Sequence, residues 1–340
     1  MVRKVRKKKP GIRKFAALLM IAFVFIFKSL FASENQTPGN QRQIEKIDIE
    51  SKDQDNYEQE ISRQIETLPP IKEVNVPSNA SQGNLYSSNA ILIRLKDNTV
   101  LMEKNSDEKI YPASLTKMMT AIVAIENLPD LNEKIELTWS MFEGLYQANA
   151  SMAGFQAGEK VSAIDLLYGV MLPSGAESCI ALADYIAGSE QNFVKLMNQK
   201  AKELGMKNTH FENTTGLHHD KHYTTVKDLV VLLSYALKND TFWQIFTSPS
   251  YFVSPTNKHP EGITFYSTLY EKLGNQNILG GEILGGKTGY TDKAGLCLAT
   301  LAKVYEEDYI LITAGAKGNH YSEQHNITDA ITVYNSIRKK

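Results

Sequence analysis

The sequence predicts an α/β (α+β) domain. Its antiparallel sheet is built from both chain ends, flanked by helices, and carries an inserted all-helical subdomain. Three observations predict it. Residues 90–95 and 99–103 are apolar, strand-forming runs on either side of Lys96-Asp97-Asn98, the pattern of a β-hairpin. From Ser114 to about 247 the apolar residues recur mostly at helical spacing. Strand patterns return only late, at 296–302 and 309–316, around the polar turn Tyr305-Glu306-Glu307-Asp308. A site is then expected in the cleft between sheet and insertion.

Taken in order, the chain opens with a basic segment, 1–14, that holds eight positive charges and no acid. The whole chain of 340 residues has a net charge of −1, so the remainder stands at −9. A nucleic-acid-binding protein would spread basic charge over its folded part, and no arginine occurs between Arg94 and Arg338. Nucleic acid is therefore not an expected partner.

Residues 15–33 follow as an apolar run, unbroken from Phe15 to Phe27 and interrupted once at Lys28. With the basic run before it, this reads as an export signal. It is either a cleaved signal peptide or an uncleaved anchor in the cell membrane; the lack of a small-x-small site near 30–33 favours the anchor. The basic end stays inside and the rest is exported. Residues 34–83 read as a disordered acidic linker; ten acids and five bases fall in 34–82, with little apolar periodicity.

The ordered domain, 84–340, begins with the hairpin. Helices are expected at 163–172 and at 177–187, the second stopped by Gly188. Another begins at Thr225, where Thr225-Val226-Lys227-Asp228 is a capping-box variant. A last helix covers roughly 325–338. The two cysteines, Cys179 and Cys297, lie in apolar runs and read as buried thiols, though one bridge is open.

The chemistry centres on Ala113-Ser114-Leu115-Thr116-Lys117. One helical turn separates Ser114 from Lys117, which places hydroxyl and amine on one face. Such a pair makes a serine nucleophilic without a histidine. The pattern Ser-x-x-Lys also occurs at Ser106/Lys109 and Ser336/Lys339, but in a polar turn and at the chain end. Only Ser114 opens an apolar run with the spacing of a helix buried on one face, entered by Pro112. The alternative is a capping serine with a snorkelling lysine.

Two further stretches complete the pattern. Ser174-Gly175-Ala176 lies on a short loop between helices; Ser174 either relays a proton into the cleft or caps the next helix. Gly285-Gly286-Lys287-Thr288-Gly289-Tyr290-Thr291 precedes an apolar strand. Its glycines would let a substrate backbone approach, and Lys287 and Thr288 would hold an anionic carboxylate. The alternative is a glycine-rich turn with a solvated lysine.

In this order the three motifs resemble the penicillin-binding and β-lactamase superfamily. The closer resemblance is to the serine-type D-alanyl-D-alanine carboxypeptidases, the low-molecular-weight penicillin-binding proteins. Residues 111–121 and 286–295 are similar to their first and third motifs, and 211–217 with 222–229 to a stretch between the second and third. The resemblance covers about 86–340 and implies a β-lactamase/transpeptidase-like fold. It implies hydrolysis of peptidoglycan stem peptides that end in D-Ala-D-Ala, through an acyl-enzyme on Ser114. Lys117 would be the base, its pKa lowered by burial and by Lys287, and Ser174 the proton relay. Lys287, Thr288, Gly289 and Tyr290 would form the substrate wall, with an oxyanion hole of the N–H groups of Ser114 and Tyr290. No cofactor or metal is implied, and β-lactams would be covalent inhibitors.

Three departures accompany the resemblance. The second motif usually has Asn where Ala176 stands. An arginine that many relatives carry after the last strand is replaced by Lys317-Gly318-Asn319-His320, so Lys317 or His320 is expected in its place. Many relatives append a β-domain and a C-terminal anchor, so here the N-terminal segment is expected to anchor the protein. His218, His219 and His222 lack the spacing and carboxylate partner of a zinc site and read as a surface loop near the cleft. The rival readings are a β-lactamase, for which Glu212 would have to hold a deacylating water, and a non-catalytic, membrane-tethered β-lactam sensor.

Overall fold

The computed structural model describes residues 72–73 and 85–339. The basic segment, the apolar run and nearly all of the expected linker lie outside the described residues. Among those described, no helix is long and apolar enough to cross a membrane.

The strands are β1 (Lys72–Glu73), β2 (Asn89–Arg94), β3 (Thr99–Lys104), β4 (Lys134–Glu136), β5 (Lys160–Ser162), β6 (Ser250–Val253), β7 (Ile263–Tyr266), β8 (Asn277–Ile278), β9 (Gly281–Thr291), β10 (Gly295–Val304) and β11 (Glu307–Ala316). The helices are α1 (Thr116–Asn127), α2 (Ala163–Met171), α3 (Ala176–Ala187), α4 (Glu190–Glu203), α5 (Val226–Ala236), α6 (Asp240–Thr247), α7 (Thr268–Leu273) and α8 (His325–Ser336). Among the described residues seven strands form one sheet, in the order β1-β3-β2-β11-β10-β9-β8. Early and late strands thus meet at β2–β11, in antiparallel register from Asn89↔Ala314 to Arg94↔Tyr309. The inserted region carries two small ribbons, β4–β5 and β6–β7, besides its helices.

Alternation explains the layering. Ile91 and Ile93 of β2 and Ile310 and Ile312 of β11 join the core shared with α1 to α6, whereas Ala90, Leu92 and Leu311 join a second core with α7 and α8. A strand presents successive side chains to opposite faces, so a sheet covered on both sides needs apolar residues at every position. β1 is a short exception within the expected linker: Lys72 and Glu73 pair parallel to Thr99 and Val100 on the edge strand β3, which would otherwise leave its outer edge open.

Three expectations are corrected. The turn before β11 is shorter than expected, since Glu307 and Asp308 already belong to the strand. Gly285–Thr291 is not a turn before a strand; it is most of β9, hydrogen-bonded along β10. α1 is not buried on one face but all round, from Thr116 to Ala124. That last result leaves Thr116, Lys117 and Thr120 in need of buried polar partners.

Candidate active site

The loop after α4 supplies those partners. Lys117 Nζ donates to the Thr215 carbonyl at 2.7 Å and Thr120 Oγ1 to the Thr214 carbonyl at 2.7 Å. His222 Nδ1 accepts from the Glu212 N–H at 3.3 Å, so Nε2 bears the proton and donates to Thr116 Oγ1 at 2.8 Å. The loop is itself braced. Asn213 Oδ1 accepts from the N–H groups of Thr215 and Gly216, and Glu190 Oε1 accepts from Thr214 N–H at 2.9 Å. His222 is therefore a buried structural residue and not part of a surface loop; burial holds its pKa down to about 3, and it stays neutral.

Ser114 precedes α1, in a single 3₁₀ turn, Ala113–Leu115. Ala113 has φ +47°, a left-handed value that costs a non-glycine residue roughly 1–2 kcal/mol. The turn is clamped from two sides. A Cβ on Gly216, which itself has φ +81°, would stand 1.9 Å from the Ala113 carbonyl oxygen. A Cβ on Gly289 of β9 would stand 3.1 Å from Ser114 N and 3.2 Å from Pro112 O. The β9 glycines therefore admit neighbouring chain rather than substrate: Gly286 packs on Ala299 O and Gly285 on Phe246 O.

Lys117 Nζ lies 3.1 Å from Ser114 Oγ. Burial lowers the pKa of the Lys117 amine, with Cys179 and Glu177 opposing the shift. Lys287 is fully buried, and its Nζ donates to the Thr288 carbonyl at 3.1 Å. Burial, then the charge of Lys117, holds the Lys287 amine well below its ordinary value. Burial alone lowers Lys117, so the expected contribution of the Lys287 charge is absent, whereas the Lys117 charge does act on Lys287. The neutral form of Lys117 is the one that accepts a proton from serine.

The cleft is about 490 Å³ and open to solvent. Ser114, Lys117 and Tyr290 line it, with Ala176, Thr215, Gly216, His218, Lys293 and His320. Ser174, Lys287, Thr288 and Gly289 are not among its lining residues. Ser174 is buried at φ +67°, and its Oγ has no partner among the described residues. It does not cap α3, whose N-cap is Gly175. Thr288 Oγ1 pairs with Thr268 Oγ1 at 2.7 Å. Ala176 presents a methyl where an asparagine amide was the expectation, and Lys317 does not reach the cleft whereas His320 does.

The other Ser-x-x-Lys serines are engaged elsewhere, Ser106 with Glu103 Oε2 at 2.9 Å and Ser336 with the Val333 carbonyl at 2.6 Å. Glu212, which a β-lactamase reading needs in the cleft, faces His210 at 3.0 Å and does not line it. Cys179 and Cys297 are free and buried, their pKa values pushed up to about 12 by burial. Among the described residues no group of three or more His, Cys, Asp or Glu is placed to hold a metal ion. Sequence reasoning missed the Thr215 carbonyl, a backbone atom that no side chain announces. Asn213 and Gly216 were its only signals.

The sheet with its helical insertion, and a serine–lysine pair at the foot of the cleft between them, define the fold class of the DD-peptidases. The crystal structure of a Streptomyces DD-transpeptidase superposes with a TM-score of 0.67 at 27% identity, covering 77% of this chain and 98% of that one. More narrowly, the family model for D-alanyl-D-alanine carboxypeptidase matches residues 76–318, and the chain belongs to that family. It is similar to the D-alanyl-D-alanine carboxypeptidases DacF of Bacillus subtilis (34% identity over 231 residues) and DacC of Escherichia coli (34% over 238). Those alignments cover 68% and 67% of this chain but only 57% and 56% of the relatives, so the chain spans just over half their length.

Proposed function

We propose that the protein is a serine D-Ala-D-Ala carboxypeptidase that removes the terminal D-alanine from peptidoglycan stem peptides. The observation that carries this is the 3.1 Å hydrogen bond from a buried lysine amine to Ser114 Oγ in a cleft of this family's fold. Ser114 Oγ attacks the carbonyl of the penultimate D-alanine, and its proton passes to the neutral Lys117 amine. The N–H groups of Ser114 and Tyr290 take the oxyanion; losing one such donor typically costs about 10²–10³ in rate. The Ser174 hydroxyl, buried and uncommitted, relays the proton to the departing amine. D-Alanine leaves, and water hydrolyses the ester on Ser114.

Lys287 and Thr288 hold the terminal carboxylate in this reading. Lys287 has no carboxylate hydrogen-bonded to it among the described residues, so a substrate carboxylate that reached its amine would favour the charged form. β-Lactams offer a strained-ring amide carbonyl that acylates the same serine as the ring C–N bond opens. Ala176, a methyl on the cleft wall in place of the family's usual amide, is the one feature that supports a β-lactam sensor as a second reading. From the sequence, residues 1–14 stay cytoplasmic, 15–33 anchor the chain in the cell membrane, and 34–83 tether an exported domain, 84–340.

The test is release of D-alanine from an N-acylated peptide ending in D-Ala-D-Ala. Release is expected; a wild-type protein that binds penicillin covalently yet releases none would leave only the sensor. The clamp on Ser114 gives a second prediction. Gly216→Ala puts a methyl against Ala113 O at a backbone angle glycine favours. It is expected to destabilise by at least about 1–2 kcal/mol and, by shifting the serine, to slow acylation about 10²-fold. Thermal melts and penicillin acylation rates measure both. Wild-type rates would show that the clamp does not position Ser114.

A further inference from the structure

The turn that joins β9 to β10 carries two charged side chains that the mechanism above does not use. It is well fixed: the Ala294 N–H is 3.1 Å from both the carbonyl and the hydroxyl oxygen of Thr291. Gly295 follows at φ +67°. Asp292 and Lys293 stand at the tip, both exposed and both lining the cleft. Tyr290 braces them, its hydroxyl donating to Asp292 Oδ1 at 2.6 Å and its ring meeting His320 edge-on at 4.9 Å. Asp292 Oδ2 and Lys293 Nζ have no hydrogen-bond or ion-pair partner among the described residues. Neighbouring opposite charges that served only the surface would be free to close on each other or on nearby ions at little cost or gain. Here the acid is tied to the cleft wall and the lysine is left beside it, an arrangement that suits a ligand with both signs of charge.

The direction of β9 says which part of the ligand this is. The proposed carboxylate site is at Lys287 and Thr288, and the carbonyl under attack lies at the N–H of Tyr290. The acyl side of the substrate therefore runs on past Tyr290 and Thr291, where β9 ends, toward the turn that carries Asp292 and Lys293. In an extended peptide the side chain that precedes D-Ala-D-Ala lies in that direction. His218 and His320 also line the cleft, and His320, against the Tyr290 ring, is held toward its neutral form by burial and by Lys272. Asp220 sits 3.3 Å from His218, and Lys293 is a cleft-lining cation with no ion pair among the described residues.

We propose that Asp292 and Lys293 form a specificity element for the residue preceding D-Ala-D-Ala. They read a side chain that ends in a zwitterionic head, its ammonium on Asp292 and its carboxylate on Lys293. The inference rests on the carboxypeptidase reading of the cleft. A side chain ending in an amine alone meets Lys293 as a like charge, and a neutral one gives neither residue a partner.

The experiment compares three N-acetyl-X-D-Ala-D-Ala peptides by D-alanine release from the full chain. In them the X side chain ends in an amine, in a zwitterionic amino-acid head, or in a methyl group. In the wild type the zwitterionic peptide is expected to exceed both others in kcat/KM by about fivefold, as for a partly exposed charge pair. The advantage is expected to shrink in high salt. Lys293→Ala is expected to bring the ratio of zwitterionic to neutral kcat/KM close to one, and Lys293→Glu to reverse the order of the zwitterionic and amine peptides. Equal wild-type values for the three peptides overturn the inference and leave the carboxypeptidase reading standing. A ratio that survives in Lys293→Ala overturns the assignment to this turn. No release from any peptide overturns both readings.

Discussion

Ser114→Ala is expected to abolish D-alanine release, with a fall in kcat/KM of about 10⁴-fold or more. The expectation follows from the surroundings of the three Ser-x-x-Lys serines. Ser106 donates to Glu103 and Ser336 to a carbonyl of its own helix, so neither hydroxyl is near an uncommitted base. Ser114 alone faces a buried amine and an open cleft. What would remain after its removal is binding and the proposed oxyanion N–H groups, which speed water attack only modestly beside an acyl-enzyme route. The variant should fold as the wild type does, since the lost hydroxyl leaves Lys117 still bonded to Thr215 O. Melting temperature and D-alanine release measure the two halves. Ser106→Ala is the control, and near-wild-type activity is expected of it. Activity retained in Ser114→Ala would remove the nucleophile from the mechanism.

Lys117→Met is expected to lower kcat/KM by about 10²–10⁴, or roughly 3–5 kcal/mol of barrier. Methionine keeps the apolar body of the side chain and removes the proton acceptor, together with the donor to Thr215 O. The pH profile separates this from a structural effect. Burial lowers the pKa of Lys117, so the wild-type rate should rise with pH as the amine loses its proton. The variant should lack that limb. The stability sign runs the same way. A lysine whose folded pKa lies below its unfolded value binds fewer protons folded than unfolded, so stability rises with pH between the two values. Lys117 and Lys287 both contribute to this rise, and the variant should show a smaller one. Denaturant midpoints at several pH values above neutrality test it. An unchanged rate limb in Lys117→Met would assign the base to another group.

The sheet was legible because its pattern is local. Apolar runs at 90–95, 296–302 and 309–316 are central strands covered on both faces, and a continuous apolar run is what such strands require. β9 was not legible as a strand. Four of its eleven residues are glycines, which weaken any strand signal. Each of the four would place a Cβ in close contact with neighbouring backbone, so the composition that hides the strand is what lets it sit against β10, α6 and the Ser114 turn. The pair Ser114 and Lys117 was legible because one helical turn fixes their relation. Its surroundings were not, because the polar face of α1 is satisfied by carbonyls of Thr214 and Thr215 and by a histidine that reads as exposed. Ser174 was legible as a loop residue, but its left-handed backbone and uncommitted hydroxyl are properties of the packed loop, where Gly175 abuts Ala153.

In the proposed mechanism Ser114 is the nucleophile that a carbonyl substrate acylates. Mass spectrometry of the intact protein after brief exposure to benzylpenicillin, followed by peptide mapping, tests it most directly. One added penicilloyl mass is expected, carried by the peptide that contains Ser114. An adduct on any other residue, or penicillin turned over with no adduct at any time, would contradict it.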